Sequence, residues 1–184
     1  MKRILSILLL FMAWGCGASV DPPEEEVLSL FLHDISSVPS LYSYQYDDSL
    51  QHLSDEAVWE WYRHVRFTAI DYHEQGEHAL AAAFRLKAAE AMVHLHRVDI
   101  AAWQFNNAGK HLLDLFEDAK SQHSDVSMDE LRDTYGIFLT LANLYFTTAH
   151  EFTYSAPDRE RSRVIAANRA YLKNMGVEQR KDSL

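Results

Sequence analysis

Ten histidines, a single cysteine and a pair of arginines one helical turn apart are the side chains of this 184-residue chain whose types and spacing invite chemistry. Imidazole ligates metals and moves protons near neutral pH. Glu74 and His78 stand four apart, but Gly76 interrupts a helix between them. Glu90 and His94 are also four apart, with His96 close behind, so His94 and His96 are the preferred ligand candidates. A carboxylate-bridged di-iron bundle needs two Glu-x-x-His helices and two more inward glutamates, and the chain has no such pair of motifs. It also has no His-Glu-x-x-His, no cysteine cluster, no Gly-x-Ser-x-Gly, no phosphate-cradling glycine loop and no dinucleotide fingerprint. An enzyme would require Glu90, His94 and another acid to converge in a cleft. The expectation is no catalytic residue, no metal site and no cofactor.

The lone cysteine, Cys16, has no partner for an internal disulfide. It follows Met1-Lys2-Arg3 and an apolar stretch from Ile4 to Trp14, the charge and hydropathy pattern of a secretory signal. That stretch is shorter than the roughly 20 residues that span a bilayer. Ala13-Trp14-Gly15-Cys16 resembles the lipobox of bacterial lipoproteins; Ala13 and Gly15 fit the pattern, and Trp14 is bulky where the family has a small residue. The resemblance implies cleavage before Cys16 and a thiol linked to diacylglycerol. It places the protein in the bacterial cell envelope, held to a membrane by acyl chains. Gly17, where an Asp favours inner-membrane retention, points to the outer membrane. An ordinary secreted protein cut nearby is the alternative.

Without residues 1–15 the chain keeps 169 residues, enough for one domain with a real core. The leader removes two basic residues, leaving 15 basic against 27 acidic side chains. Such an acidic chain is a poor nucleic-acid ligand and is repelled by anionic lipid heads. The organisation expected is a signal peptide at 1–15, a tether at 16–24, one α-helical domain at 25–176 and a polar tail at 177–184.

Only six glycines and four prolines interrupt the chain, so long helices are expected. A short helix is predicted from about Pro23 to Ile35, followed by an irregular loop over 36–53 with Tyr42, Tyr44 and Tyr46. Ser54-Asp55-Glu56 opens a helix to Glu74, and Gln75-Gly76 ends it. Glu77 opens an alanine-rich helix to about His96, antiparallel to the first because the connection is so short. Asp99 is expected to cap a helix reaching Gln122. Ser127 and Glu130 form a Ser-x-x-Glu capping box for another, to about Phe152, apolar nearly all round its middle and so expected at the centre. Ser155-Ala156-Pro157 breaks the chain before a last amphipathic helix, closed by Gly176. The predicted fold is all-α, with antiparallel pairs among about six helices.

Val65, Thr68-Ala69, Tyr72, Gly76-Glu77, Ala81 and Ala88 resemble one tetratricopeptide repeat: a bulky residue, small residues, an aromatic, a tight turn, then alanines on the second helix. The family's first-position Trp and closing Pro are missing. A second unit at Ala102-Trp103 has its Asn106-Asn107-Ala108-Gly109 run one place out of register. A repeat-like stack and an irregular helical bundle both remain open. The resemblance implies a concave groove for a partner's peptide, lined by Arg63 and Arg66 on one helix and by Asn106, Asn107 and Lys110 on the next. The function expected is a membrane-anchored interaction or scaffold module for an unidentified protein partner. The alternative is a lipoprotein whose helical bundle binds a small molecule or metal, with a pocket lined by Trp103, Phe138 and Tyr145.

Overall fold

A computed structural model describes residues 50–155 and 158–177; Cys16, the leader, the expected Pro23–Ile35 helix and the tyrosine loop lie outside the described residues. Five helices and no strand are found among the described residues: α1 Asp55–Glu74, α2 His78–His94, α3 Val98–Gln122, α4 Met128–Ser155 and α5 Arg159–Asn174. Each packs on the next along the chain, and α3 and α4 form the most extensive of these contacts. No helix among the described residues is long and apolar enough to cross a membrane.

The ends of these helices follow from local hydrogen bonding. Ser54 accepts from the Ala57 amide to cap α1, and Ser127 accepts from the Glu130 amide at 3.2 Å, as its capping box requires. Asp158 caps α5 through the amides of Glu160 and Arg161. Asp99 does not cap α3; it lies in the first turn, and Arg97 takes the cap position without a side-chain bond. Gly76 and Gly176, at φ 80° and 79°, close α1 and α5 with left-handed turns. α2 ends two residues before the expected His96. There His96 itself adopts φ 55° while the Arg97 amide reaches back to the Met92 carbonyl at 2.7 Å. Glycine usually fills that position.

Helix α2 is buried on two sides, between α1 and α3, which is why Ala81, Ala82, Ala88, Ala89 and Ala91 crowd its length. The α3–α4 interface holds the aromatic core. Phe105 stacks on Phe152 at 5.5 Å and on Tyr145 at 6.4 Å, all fully buried. Gly109 admits the Phe146 ring against the α3 backbone: a Cβ there would stand 2.8 Å from Phe146 Cε1 and 3.1 Å from the Ala142 carbonyl. Helix α4, expected at the centre, is buried along its middle. Helix α3 also touches all four others, reaching α1 through side chains. Helix α5 leans on α4 and is fastened to α3 by Asn168, which donates to Asn106 at 2.8 Å, and by Tyr171, which donates to Glu117 at 3.1 Å.

Gly109→Ala is expected to destabilise the domain by about 1–3 kcal/mol, because a fully buried ring has nowhere to move. Gly136→Ala, whose Cβ would meet nothing closer than 4.0 Å, should be neutral or slightly stabilising. Urea denaturation of the two variants checks the contrast.

Candidate metal centre

The turn between α1 and α2 reverses the chain within three residues. The Glu77 amide bonds the Tyr72 carbonyl at 2.9 Å and the Gly76 amide bonds the His73 carbonyl at 3.0 Å. His73, in the last turn of α1, is thereby brought beside His78, the first residue of α2; their ring centroids are 5.6 Å apart. Helix α3 returns alongside and supplies His111, whose ring lies 4.8 Å from His73 and 6.1 Å from His78. One ligand nitrogen from each of the three falls within 4.8 Å of the others.

The three imidazoles differ in freedom. His73 is exposed, His78 half-buried and His111 buried. In the His111 ring neither nitrogen has a hydrogen-bond partner, and both are shielded from water. Its position is only 5 % exposed. Burial first, then the charges of Arg85, His73, His78 and Lys110, pull its pKa down to about 3. It is therefore a neutral imidazole with one unused lone pair and one unused N–H, the form that ligates metal.

Two carboxylates stand behind the rings. Asp118 Oδ2 is 3.3 Å from His78 Nε2. A proton on Nε2 facing this carboxylate leaves the Nδ1 lone pair available, and Nδ1 is buried without a partner. Asp114 Oδ2 is 4.0 Å from His111 Nδ1, beyond hydrogen-bond distance, so both His111 nitrogens are left without a partner. Carboxylates behind ligating histidines fix tautomer and raise ligand basicity. A tetrahedral ion with bonds of about 2.0–2.1 Å needs nitrogens roughly 3.4 Å apart, so the rings must close by up to about 1.4 Å. The exposed His73 can supply that movement by rotating its side chain.

The expectation of no metal site rests on spacing along the chain; His94 and His96, the candidates that spacing prefers, do not belong to this cluster. His94 is half-buried near the end of α2, and His96 occupies the left-handed turn position beyond it. Glu74 is not in the cluster either, while His78 joins it through a tertiary contact rather than the Glu74–His78 spacing. The groove residues also separate. Asn106 is 1 % exposed and its carbonyl oxygen is engaged by Asn168; it faces inward. Arg63 pairs with Glu60 on its own helix. Arg66 is half-buried, 5.6 Å above the Phe67 ring, Asn107 is half-buried and Lys110 is exposed. Of the pocket candidates, Phe138 and Tyr145 are solid core, and Trp103 is half-buried beneath the Arg161 guanidinium.

One signal could have found the cluster. Arg66 and His73, His78 and Arg85, and Gln104 and His111 are each seven residues apart on three successive helices. Seven residues are two turns, about 10.5 Å, so each helix offers one polar stripe with two rungs. Comparison with protein families, curated proteins and solved structures finds no match to this chain.

The His111 shift has a consequence for metal-free protein. Its pKa is lower folded than unfolded, so its contribution is present above about pH 6.5 and is lost as pH falls toward about 3. Between pH 6 and 5 it should cost about 1.4 kcal/mol per pH unit. Urea titrations in the presence of chelator should show this slope for the natural chain and a flatter one for His111→Phe.

Proposed function

We propose that this domain binds a divalent transition-metal ion through His73, His78 and His111, and that a lipid on Cys16 holds it at a bacterial membrane, the outer one in a two-membrane envelope. The observation that carries the metal reading is a buried imidazole, His111, with no hydrogen-bond partner at either nitrogen, facing two further imidazoles, of which His78 is backed by the Asp118 carboxylate. Leaving such a group unsatisfied costs stability, and a metal ion would satisfy it. Three imidazoles suit zinc, copper(II) or nickel(II), and leave a position open in tetrahedral geometry. This is the metal-binding form of the helical-bundle alternative.

A partner groove on Arg63, Arg66, Asn106, Asn107 and Lys110 is the weaker reading, since Asn106 is committed to Asn168 and Arg63 to Glu60. The repeat-like stacking of α1 and α2 draws support from the Gly76 turn and from fully buried Ala69, Ala81 and Ala88. In that arrangement the short turn serves the site, because it sets two ligands side by side.

Zinc titration by calorimetry should give one ion per chain, and zinc at a hundredfold excess over Kd should add about 2.7 kcal/mol of stability. His73→Ala removes an exposed ligand and should abolish binding while leaving the fold intact. Asp118→Asn should weaken binding about 10–100-fold. Unchanged affinity in His73→Ala would refute the site. For the anchor, Cys16→Ser should move the protein from the membrane pellet to the soluble fraction; retention in the pellet would refute it.

A further inference from the structure

The second rung of the polar stripe, two turns from the imidazoles, holds Arg66, Arg85 and Gln104. Arg85 Nη1 donates to Gln104 Oε1 at 3.1 Å, and Gln104 Nε2 donates to the Tyr62 hydroxyl at 3.3 Å. This chain of bonds crosses α1, α2 and α3 and fixes the guanidinium plane. Arg85 Nε, in contrast, is buried with no hydrogen-bond partner. With Nη1 engaged, the Nε–Nη2 edge remains, and that edge matches the two oxygens of a carboxylate or phosphate.

Neither Arg85 nor Arg66 has an ion-pair partner among the described residues, although the chain carries ten more acidic than basic side chains. Burial first and the nearby Arg66 charge second push the Arg85 pKa below its usual range, and Arg85 is the charge that weighs most on His111. The Arg85 charge is therefore felt by His111, and the Arg66 charge by Arg85. Asp114 and Asp118 offset the charge of a divalent ion held by neutral imidazoles. They leave the two arginines uncompensated, and Lys110 adds a third positive charge nearby. An uncompensated charge that is partly buried carries a desolvation cost, which a bound anion would offset.

We propose that Arg85 and Arg66 form an oxyanion subsite, so that the domain takes its metal together with a carboxylate or phosphate ligand that occupies the open coordination position. The proposal rests on the metal site, and it adds a coupling: the anion raises metal affinity, and the metal raises anion affinity by the same factor. Arg85 orients one oxyanion edge, while Arg66 contributes charge.

Cobalt(II) is the probe, because its visible spectrum reports coordination. The purified full chain is titrated with cobalt(II) in chloride, in inorganic phosphate and in malonate, at equal ionic strength and with free cobalt(II) matched. One of the two oxyanions should raise cobalt(II) affinity about tenfold or more and alter the spectrum, and the stronger arm identifies phosphate or carboxylate. Arg85→Gln should still bind cobalt(II), with equal or higher affinity in chloride, but lose the anion response; Arg85→Lys should keep a reduced response. Arg66→Gln leaves the Gln104 bond in place and should also lower the response, which covers loss of folding in the Arg85 variants. Cobalt(II) binding that ignores both anions, or an anion response unaltered in Arg85→Gln and Arg66→Gln, overturns the subsite and leaves the metal site standing. Absence of cobalt(II) binding under every condition overturns both.

Discussion

Helix α3 is clamped on one side, and that constraint governs the other side. Phe146 lies directly on the α3 backbone at Gly109, and Phe105, Leu112 and Phe116 are fully buried along the same helix. Helix α5 adds Asn168 and Tyr171 as polar fasteners. A helix fixed this way cannot roll to carry a side chain out to water. His111, two residues and about 200° round from Gly109, is held inside against α1 and α2. Its burial costs free energy because its nitrogens are unsatisfied, and packing elsewhere on α3 must offset that cost. Strained or unsatisfied groups that persist in a well-packed fold concentrate at functional sites.

The seam between α1, α2 and α3 has a consistent chemistry. One rung offers neutral or neutralisable imidazole nitrogens with carboxylates behind them; the next offers guanidinium groups with an amide and a phenol behind them. Small residues separate the rungs and let the three helices approach closely, with Ala69 on α1, Ala81 and Ala82 on α2, and Ala108 on α3 all fully buried. The outer aromatic core, between α3 and α4, contains no such polar stripe. The aromatic packing and the imidazole cluster thus lie on opposite faces of one helix.

Helix positions were largely legible from the chain because capping and glycine chemistry act locally. Ser54, Ser127, Gly76 and Gly176 mark their boundaries through bonds to residues three to five away. The boundaries that escaped were those without a side-chain signal: Arg97 caps α3 without a bond, and His96 fills a glycine position. The site was not legible in the same way. Spacing of i and i+4 on one helix singles out Glu90 and His94, with His96 close behind, whereas the three clustered imidazoles come one from each of three helices. A one-dimensional pattern offers Asn106 as a groove residue because it does not say that α5 folds back to engage its amide. The seven-residue stripes carried the relevant information, but only the packing order of the helices shows that they face one another.

X-ray absorption at the zinc edge of the loaded protein tests the metal centre most directly. Three imidazole nitrogens at about 2.0–2.1 Å, reduced to two in His73→Ala if any ion is retained, are the expected result. A first shell of oxygens without imidazole scattering, unchanged by that substitution, would contradict it.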